Sequence, residues 1–291
     1  MDTPKISIIT PSFNQVAYLE DTINSVLGQH YPNLEYIIID GGSTDGSVEI
    51  IKKYENQLAY WESAPDKGMY YAIQKGFEKS TGEIMAWLNS DDMYHRKALF
   101  TVAEIFSSFQ SVNWLQGTVS FFDETGRTVK IQKAKTFTRF DFYNHNYRFI
   151  QQESIFWRRS LWLETGATLN CNLKYAGDFA LWLKFFSTEK LYVTNTLIGG
   201  FRLRKNNQLS LEHFKEYIEE CEKELANVYL NKTDKFNLFK FKMFNYFIKF
   251  IKCLKIFRTD WMLKYYQKRY LNSPEEIVFN RFSQKFEIKA K

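Results

Sequence analysis

LEYIIID, Leu34 to Asp40, followed at once by the turn-rich GGSTDGS of Gly41 to Ser47, is the stretch on which the fold turns. A strand with one wet face alternates apolar and polar residues, but this run is nearly unbroken in apolar character, which implies burial on both faces. Such a strand belongs in the middle of a sheet with helices on either side. Upstream, KISIIT (Lys5 to Thr10) reads as a second strand. Between the two, Leu19, Ile23, Val26 and Leu27 recur at helical spacing, and Gly28 is placed to end that helix. Downstream, Val48, Ile51, Tyr54 and Leu58 predict a helix, Tyr60 to Glu62 a short strand, Met69 to Lys79 a helix and Glu83 to Leu88 a strand. The alternation predicts an α/β fold with a parallel sheet flanked by helices. The last strand delivers NSDD, Asn89 to Asp92, at its carboxyl end, where open α/β sheets place their ligand chemistry.

Beyond residue 110 the pattern changes. Trp114 to Phe122 and Thr128 to Gln132 read as a hairpin around Asp123 to Gly126, Ser154 to Trp157 as a strand, and Asp178 to Phe186 as a helix. This second half is α+β and continuous with the first sheet. From Glu212 to the end the sequence reads as helical.

With 291 residues, 45% hydrophobic and 25% charged, intrinsic disorder is excluded. The 27 Phe, 18 Tyr and 7 Trp exceed what a core alone requires and point to an apolar surface besides it. Cys171, Cys221 and Cys253 are far apart with no Cys-x-x-Cys pair, which excludes a disulfide framework and a zinc site and indicates a reducing compartment. Met1 to Lys5 has no basic, apolar and small-residue succession of a secretory signal, so a cytoplasmic location is expected.

The net charge of +6 is uneven: residues 1–230 hold 24 Lys/Arg against 28 Asp/Glu, and residues 231–291 hold 15 against 5. The expected organisation is a catalytic domain over 1–230 and a basic, aromatic helical extension over 231–291. Leu238 to Phe257 is long enough to span a bilayer, but Lys240, Lys242, Lys249, Lys252 and Lys255 interrupt it, at ~2.5–3.5 kcal/mol for each central lysine. Spanning is therefore not expected. Lys242, Asn245, Lys249 and Lys252 form one polar stripe on a helix, the pattern of an in-plane amphipathic anchor on the anionic inner face of the cytoplasmic membrane. The alternative is a helix packed on the catalytic domain with its lysines in water.

Acids cluster where strands or turns end: Asp40 with Asp45, then Asp66, then Asp91 with Asp92. Asp45 alone is also ordinary turn chemistry. Adjacent carboxylates at the end of a buried strand repel each other and need a cation or strong donors. An oxygen-only set favours Mg2+ or Mn2+, ions that keep phosphate oxygens in their shell, so a nucleotide diphosphate is the implied partner. The chain has neither a P-loop nor a Gly-x-Gly-x-x-Gly after its first strand, so such a metal would have to hold the phosphates.

Five segments in order, ISIITPSFN (6–14), IIIDGGSTDGS (37–47), PDKGMYYAIQKG (65–76), TGEIMAWLNSDD (81–92) and GDFALWLKF (177–185), resemble the family 2 glycosyltransferases, over roughly residues 5–210. The resemblance implies a GT-A fold: a Rossmann-like mixed sheet flanked by helices, here with the C-terminal helical extension. It further implies an inverting transferase of bacterial surface-polysaccharide synthesis, moving a sugar from a UDP-sugar to a lipid-linked oligosaccharide.

Carried over position by position, Thr10, Pro11 and Asn14 would line the nucleotide pocket, and Asp40 would accept the N3 proton of uracil. Many relatives have a second acid next, where this chain has Gly41. Asp66 and Lys67 would lie near ribose and phosphates. Asn89 stands at the first position of the common Asp-x-Asp-Asp and would touch sugar or ribose. Asp91 would be the principal metal ligand, with Asp92 supporting it or contacting the donor sugar. Gln152 would face the acceptor, and Arg204, where relatives often carry a histidine, would bind the diphosphate.

Asp178 matches the catalytic base, although read alone it is a helix N-cap aspartate. Trp157 and Trp162 fit either an acceptor stack or the core. His30, His95, His145 and His213 have no metal-ligand spacing. Two rivals differ in products and partners: a nucleotidyltransferase on the same fold would release pyrophosphate, and a nucleic-acid-binding protein would use the basic tail. The acidic remainder and the tail's bulky apolar residues argue against nucleic acid.

Overall fold

The computed structural model describes residues 3–147, 150–205, 212–253, 262, 265 and 275–289. Four strands form the parallel part of the sheet: β1 (Ile6–Ser12), β2 (Leu34–Asp40), β3 (Tyr60–Ser63) and β4 (Ile84–Trp87). β1 lies between β2 and β4, with Ser12 opposite Asp40 and Asp40 opposite Ser63 at the carboxyl ends. The chain thus builds outward from β1 to β3 and then crosses to β4. That reversal next to β1 is the switch point at which a doubly wound sheet opens a ligand crevice.

The two-sided burial expected of β2 is realised by strict alternation. Ile37 and Ile39 face one core, against α3 (Met69–Lys79), α6 (Arg159–Glu164) and α7 (Gly177–Thr188). Tyr36 and Ile38 face the other, against α1 (Leu19–Leu27), α2 (Ser47–Lys53) and α4 (Ala98–Ser108). Each fully buried side chain of this size contributes ~1.5–3 kcal/mol relative to exposure.

Past β4 the sheet becomes mixed. The remaining strands are β5 (Met93–Tyr94), β6 (Trp114–Phe122), β7 (Thr128–Gln132), β8 (Ile155–Arg158), β9 (Tyr192–Leu197), β10 (Gly199–Arg202), β11 (Glu276–Asn280) and β12 (Lys285–Lys289). The order is β12-β11-β9-β6-β8-β4-β1-β2-β3; β7 and β10 pair with β6, and β5 pairs with β10. Trp87, Trp114, Trp157 and Trp182 gather in one core, Trp182 stacking on Trp87 at 5.7 Å and on Trp114 at 5.4 Å. Trp157 and Trp162 are therefore core residues.

The C-terminal region differs from its helical reading. Helices α8 (Phe214–Ala226) and α9 (Lys232–Cys253) are present, but residues 276–289 form the β11–β12 hairpin, and β11 pairs parallel to β9. Ile277 is fully buried in the second core, and Lys133 Nζ lies 2.7 Å from Glu276 Oε1. The boundary at residue 230 thus divides segments that share one sheet. The clue was Ile277-Val278-Phe279, a β-prone run after Pro274 hidden within a lysine-rich composition.

α9 packs on the rest of the chain along one side only. Phe241 and Ile248 are buried, Phe241 against Phe140 of α5 (Arg139–Tyr143), and Arg139 Nη2 contacts Asp234 Oδ1 at 2.6 Å. Phe236, Phe239, Met243, Phe247 and Phe250 recur at helical spacing on the other side and are exposed, with Lys240 over the Phe236 ring. Asn245, assigned to the polar stripe, is half-buried. The side chain of Lys252, and the part of the run from Leu254 to Phe257 with Lys255, lie outside the described residues. No helix among the described residues is long and apolar enough to cross a membrane.

Candidate active site

Three loops leave the carboxyl ends of β1, β2 and β3 side by side, and hydrogen bonds weld them together. Asp40, fully buried at the end of β2, accepts the N–H groups of Gly42 (3.1 Å) and Ser43 (2.8 Å) and the hydroxyls of Ser43 (2.6 Å) and Ser63 (2.7 Å). Asn14, at a left-handed φ of 51°, accepts the Thr44 N–H through Oδ1 and donates its own N–H to Ser43 Oγ. Asp45 accepts from Val16 N, Ser47 N and Ser47 Oγ, so it performs the turn chemistry expected of it. Of the three residues assigned to the pocket wall in this region, only Asn14 is exposed. Thr10 is buried with its hydroxyl 3.0 Å from the Tyr36 hydroxyl, and Pro11 is buried in β1. Asp66 and Lys67 are exposed in the loop after β3, Lys67 resting over the Tyr71 ring.

At the end of β4 the acids are crowded instead. Asp92 is fully buried: its Oδ1 accepts the Arg202 N–H at 2.8 Å and its Oδ2 accepts from Asn89 Nδ2 at 3.3 Å. Asn89 thereby serves Asp92, and its own amide oxygen is buried. Glu153, also buried, shares a hydrogen bond with Asp92 and feels the charges of Asp91 and Asp178. Burial first, then the neighbouring acids Glu153 and Asp91, hold the Asp92 carboxyl well above the usual carboxylate range, and burial raises Glu153 likewise. Arg202 locks this corner, donating to the Asp91 carbonyl (2.6 Å), the Glu124 carbonyl (2.9 Å) and Asp21 (3.1 Å).

Asp178 is the second residue of α7. Its Oδ1 accepts the Phe179 N–H at 2.7 Å, and burial pushes its carboxyl up to about 6. Ala176, rather than Asp178, holds the cap position. The loop before it is clamped from α8. Glu220 accepts three successive backbone N–H groups, from Lys174 (3.0 Å), Tyr175 (2.9 Å) and Ala176 (2.9 Å), and the Tyr70 hydroxyl donates to the Tyr175 carbonyl. Gly177 is required here, since a Cβ would sit 2.6 Å from the Tyr70 ring.

Acidic side chains thus gather around the carboxyl ends of β1 to β4, beside the switch point of the sheet. The model of glycosyl transferase family 2 matches residues 7–170, more than half the chain. The chain belongs to glycosyl transferase family 2. TuaG of Bacillus subtilis (strain 168), provisionally named for teichuronic acid biosynthesis, is 40% identical over 101 residues, 33% of this chain and 39% of TuaG. An uncharacterized glycosyltransferase of Rickettsia prowazekii, RP339, is 22% identical over 291 residues, 95% of this chain and 87% of that one. The first curated relatives are matched over only a third to two-fifths of their length. Among solved structures, S. aureus TarS 1–349 in complex with UDP-GlcNAc superposes with a TM-score of 0.63 at 21% identity, over 80% of this chain and 70% of TarS 1–349. The mannosyltransferase PcManGT of Pyrobaculum calidifontis, in complex with GDP-Man and Mn2+, gives 0.60 at 17%, over 79% and 67%. These likenesses establish the mixed, helix-flanked sheet of the GT-A fold.

In this family 2 chain the donor set at Asp91 does not fit a resident divalent ion. Asp91 Oδ2 lies 3.1 Å from Arg204 Nη2, and both oxygens of Asp92 already accept hydrogen bonds. No group of three or more His, Cys, Asp or Glu among the described residues could hold a metal. The positive charge facing Asp91 is Arg204, which stacks over Tyr18 and bonds Gln15. Asp91, expected as the principal metal ligand, is engaged in an ion pair, which also answers the need of adjacent carboxylates for a cation.

Gln152 is another correction. It is buried, with Nε2 donating to the Trp87 carbonyl at 2.6 Å, so it supports the end of β4 instead of facing an acceptor. Its neighbour Gln151 grips both backbone groups of Ser120. Sequence reasoning missed Glu153, whose signal was an acid between Gln152 and an apolar strand, and Glu220, which looks like any charge on an amphipathic helix.

Proposed function

We propose that this chain is an inverting glycosyltransferase that moves a sugar from a nucleoside diphosphate sugar to an acceptor hydroxyl. The observation that carries it is Asp178, a carboxyl raised to about 6 by burial and electrostatically coupled to the Asp91–Asp92–Glu153 cluster through Glu153. A general base works best when its pKa lies near the working pH. As the acceptor oxygen attacks the anomeric carbon, its proton passes to Asp178, the bond from that carbon to the diphosphate breaks, and the diphosphate carries away the electron pair. Arg204, in the described part of the loop after β10, and exposed Lys67 supply positive charge for the leaving diphosphate.

The acceptor we propose is a lipid-linked oligosaccharide in surface-polysaccharide synthesis, the setting for which TuaG is named. The exposed Phe236–Phe250 stripe of α9, with Lys240 beside it, supports peripheral attachment to an anionic, cytoplasmic-side membrane surface. Nucleic acid is not a partner in this reading.

The deciding experiment measures nucleoside diphosphate release across a panel of nucleotide sugars with a lipid-linked acceptor, with EDTA and with added Mn2+. The expected result is one donor consumed, a nucleoside diphosphate released, and turnover that survives EDTA. Pyrophosphate as the product would instead establish nucleotidyl transfer, and strict dependence on Mn2+ would refute the role given to Arg204.

A further inference from the structure

We propose that the turn of the β11–β12 hairpin, led by Phe282, is a second point of contact with an anionic lipid bilayer, set on the same edge of the sheet as the candidate active site. The inference rests on the membrane attachment proposed above and adds to it a surface outside α9.

Strand direction fixes the edge. β11 runs parallel to β9, and β9 parallel to β6. β6 is antiparallel to β8 and β8 antiparallel to β4, so β6 and β4 run the same way, and β4 is parallel to β1. The turn of residues 281–284, at the carboxyl end of β11, therefore leaves the sheet on the edge where β1 to β4 release the loops of Asn14, Gly41, Asp66 and Asp91. Sheet twist rotates successive strands by ~20–25°, so what is shared is the edge and not one direction. β11 stands four places from β4 in the strand order, ~19 Å along that edge at ~4.8 Å per strand. α9 is tied to the first turn of α7 by packing: Phe241 lies against Phe140 of α5, and Phe142 of α5 lies 4.8 Å from Phe179, the residue after Asp178.

The turn is pinned by its own side chains. Asn280 Oδ1 accepts the N–H groups of Phe282 (2.9 Å) and Ser283 (3.3 Å). Asn280 Nδ2 and Ser283 Oγ both donate to Glu287 Oε1, at 2.7 and 2.9 Å, and Gln284 Nε2 donates to the Arg281 carbonyl at 2.6 Å. Gln284 is held at a left-handed φ of 54°, which residues other than glycine seldom adopt. Glu287, the only acid from Ile277 to Lys289, is engaged inside this network. What the network presents outward is Phe282, completely exposed, with Arg281 and Lys285 exposed on either side of it in the chain. Phe279 is exposed as well and packs edge-on against Phe286 at 5.3 Å.

One exposed apolar side chain needs no explanation. Two phenylalanines on a pinned turn, with cations beside them and the one nearby carboxylate turned inward, form a surface with a pattern. A bilayer supplies both halves of its complement, an apolar layer for the rings and a plane of phosphates for Arg281 and Lys285. The 15 Lys/Arg against 5 Asp/Glu of residues 231–291 complement the same negative surface. Attachment through α9 alone leaves the domain free to roll about that helix. A second contact on the crevice edge fixes which edge meets the lipid, the side on which a lipid-linked acceptor arrives.

The test is co-sedimentation of the full chain with vesicles of phosphatidylcholine mixed with phosphatidylglycerol, and of phosphatidylcholine alone as the uncharged control. Wild type is compared with Phe282→Ser, Phe282→Trp, the pair Arg281→Glu and Lys285→Glu, and the pair Phe239→Ser and Phe250→Ser, with thermal midpoints recorded alongside. Phe282→Ser should weaken binding to the anionic vesicles about tenfold at an unchanged midpoint, because it removes a ring that only the lipid covers. Phe282→Trp should keep wild-type binding, since Trp suits the membrane interface. The charge reversal should weaken binding to the anionic vesicles and leave the uncharged control unchanged. Undiminished binding by Phe282→Ser, beside weakened binding by the α9 variant, overturns this inference and leaves attachment through α9 standing. Absence of wild-type binding to both kinds of vesicle overturns both. A dimer seen by light scattering in wild type and lost in Phe282→Ser would give the turn to a second copy of the chain and overturn the bilayer as its partner.

Discussion

At the ends of β1 to β3 the carboxylates are surrounded by donors: buried Asp40 accepts four hydrogen bonds and exposed Asp45 three, all from neighbouring backbone N–H groups and serine hydroxyls. Around β4 and α7 the carboxylates face one another, so that burial raises Asp92, Glu153 and Asp178 above the usual carboxylate range. Both groups are drawn from ordinary Asp and Glu residues, and composition does not separate them. The supply of N–H and O–H donors does. A donor-rich acid shapes backbone, whereas an acid whose burial outweighs its donors holds its proton more tightly and is suited to exchanging it.

The sharpest way to break this contrast is at Asp178. Asp178→Asn should lower kcat by ~10²-fold or more while nucleotide-sugar affinity is kept, since the amide cannot take the acceptor proton. Removing a buried ionisable group should leave the thermal midpoint unchanged or raised. Equal loss of donor binding, read by titration, would place Asp178 in the donor pocket instead.

Asp40→Ala should do the reverse, acting on stability. It strands several donors at once and should cost ~2–4 kcal/mol in denaturant unfolding at neutral pH. An unfolding free energy unchanged from wild type would mean that water replaces the carboxylate and that the turn does not need it.

The pH dependence separates the two groups without mutation. Burial disfavours the charged form of Asp178, so its proton is retained up to about 6 and the base form fills only above that. Turnover should therefore fall about tenfold per pH unit on the acid side of 6. The sign for stability is opposite: the native chain binds this proton more tightly than the unfolded chain, so the contribution of Asp178 to stability declines as pH rises from ~4 to 6. A pH–rate profile flat down to pH 5 would count against the assignment.

A smaller effect is expected at Glu220, which places Asp178 through the 174–176 backbone. Glu220→Gln keeps one acceptor oxygen and should reduce kcat by roughly five- to tenfold, with donor affinity unchanged. The smallest effect is at the surface. Replacing Phe239 and Phe250 by serine should reduce co-sedimentation with anionic liposomes several-fold without altering turnover on a soluble acceptor analogue. Substitution is the suitable probe here, because a chain cut at Asn231 would also lose β11 from the sheet.

The amino-acid sequence by itself determined the parallel half of the sheet. β2, α3 and β6 have the same ends in the structure as in the sequence reading, because burial of one face or two faces imprints a local repeat, and exposed β7 was marked by the Asp123–Gly126 turn before it. It also placed the acids, since strand ends and turns are locally marked. The tertiary structure alone decided what those acids do. Nothing near Asp91 in the chain announces Arg204, and nothing near Asp178 announces Glu220, because these partners arrive from distant segments. Asp40 and Asp66 both stand in the sequence where a strand or turn ends, and only the packing of three loops makes one a buried hub and leaves the other open beside Gly41. The same holds for the lysine-rich C-terminus: its composition reports charge, while β11 joins the sheet because β9 offers an unpaired edge, a property of the fold and not of residues 276–280.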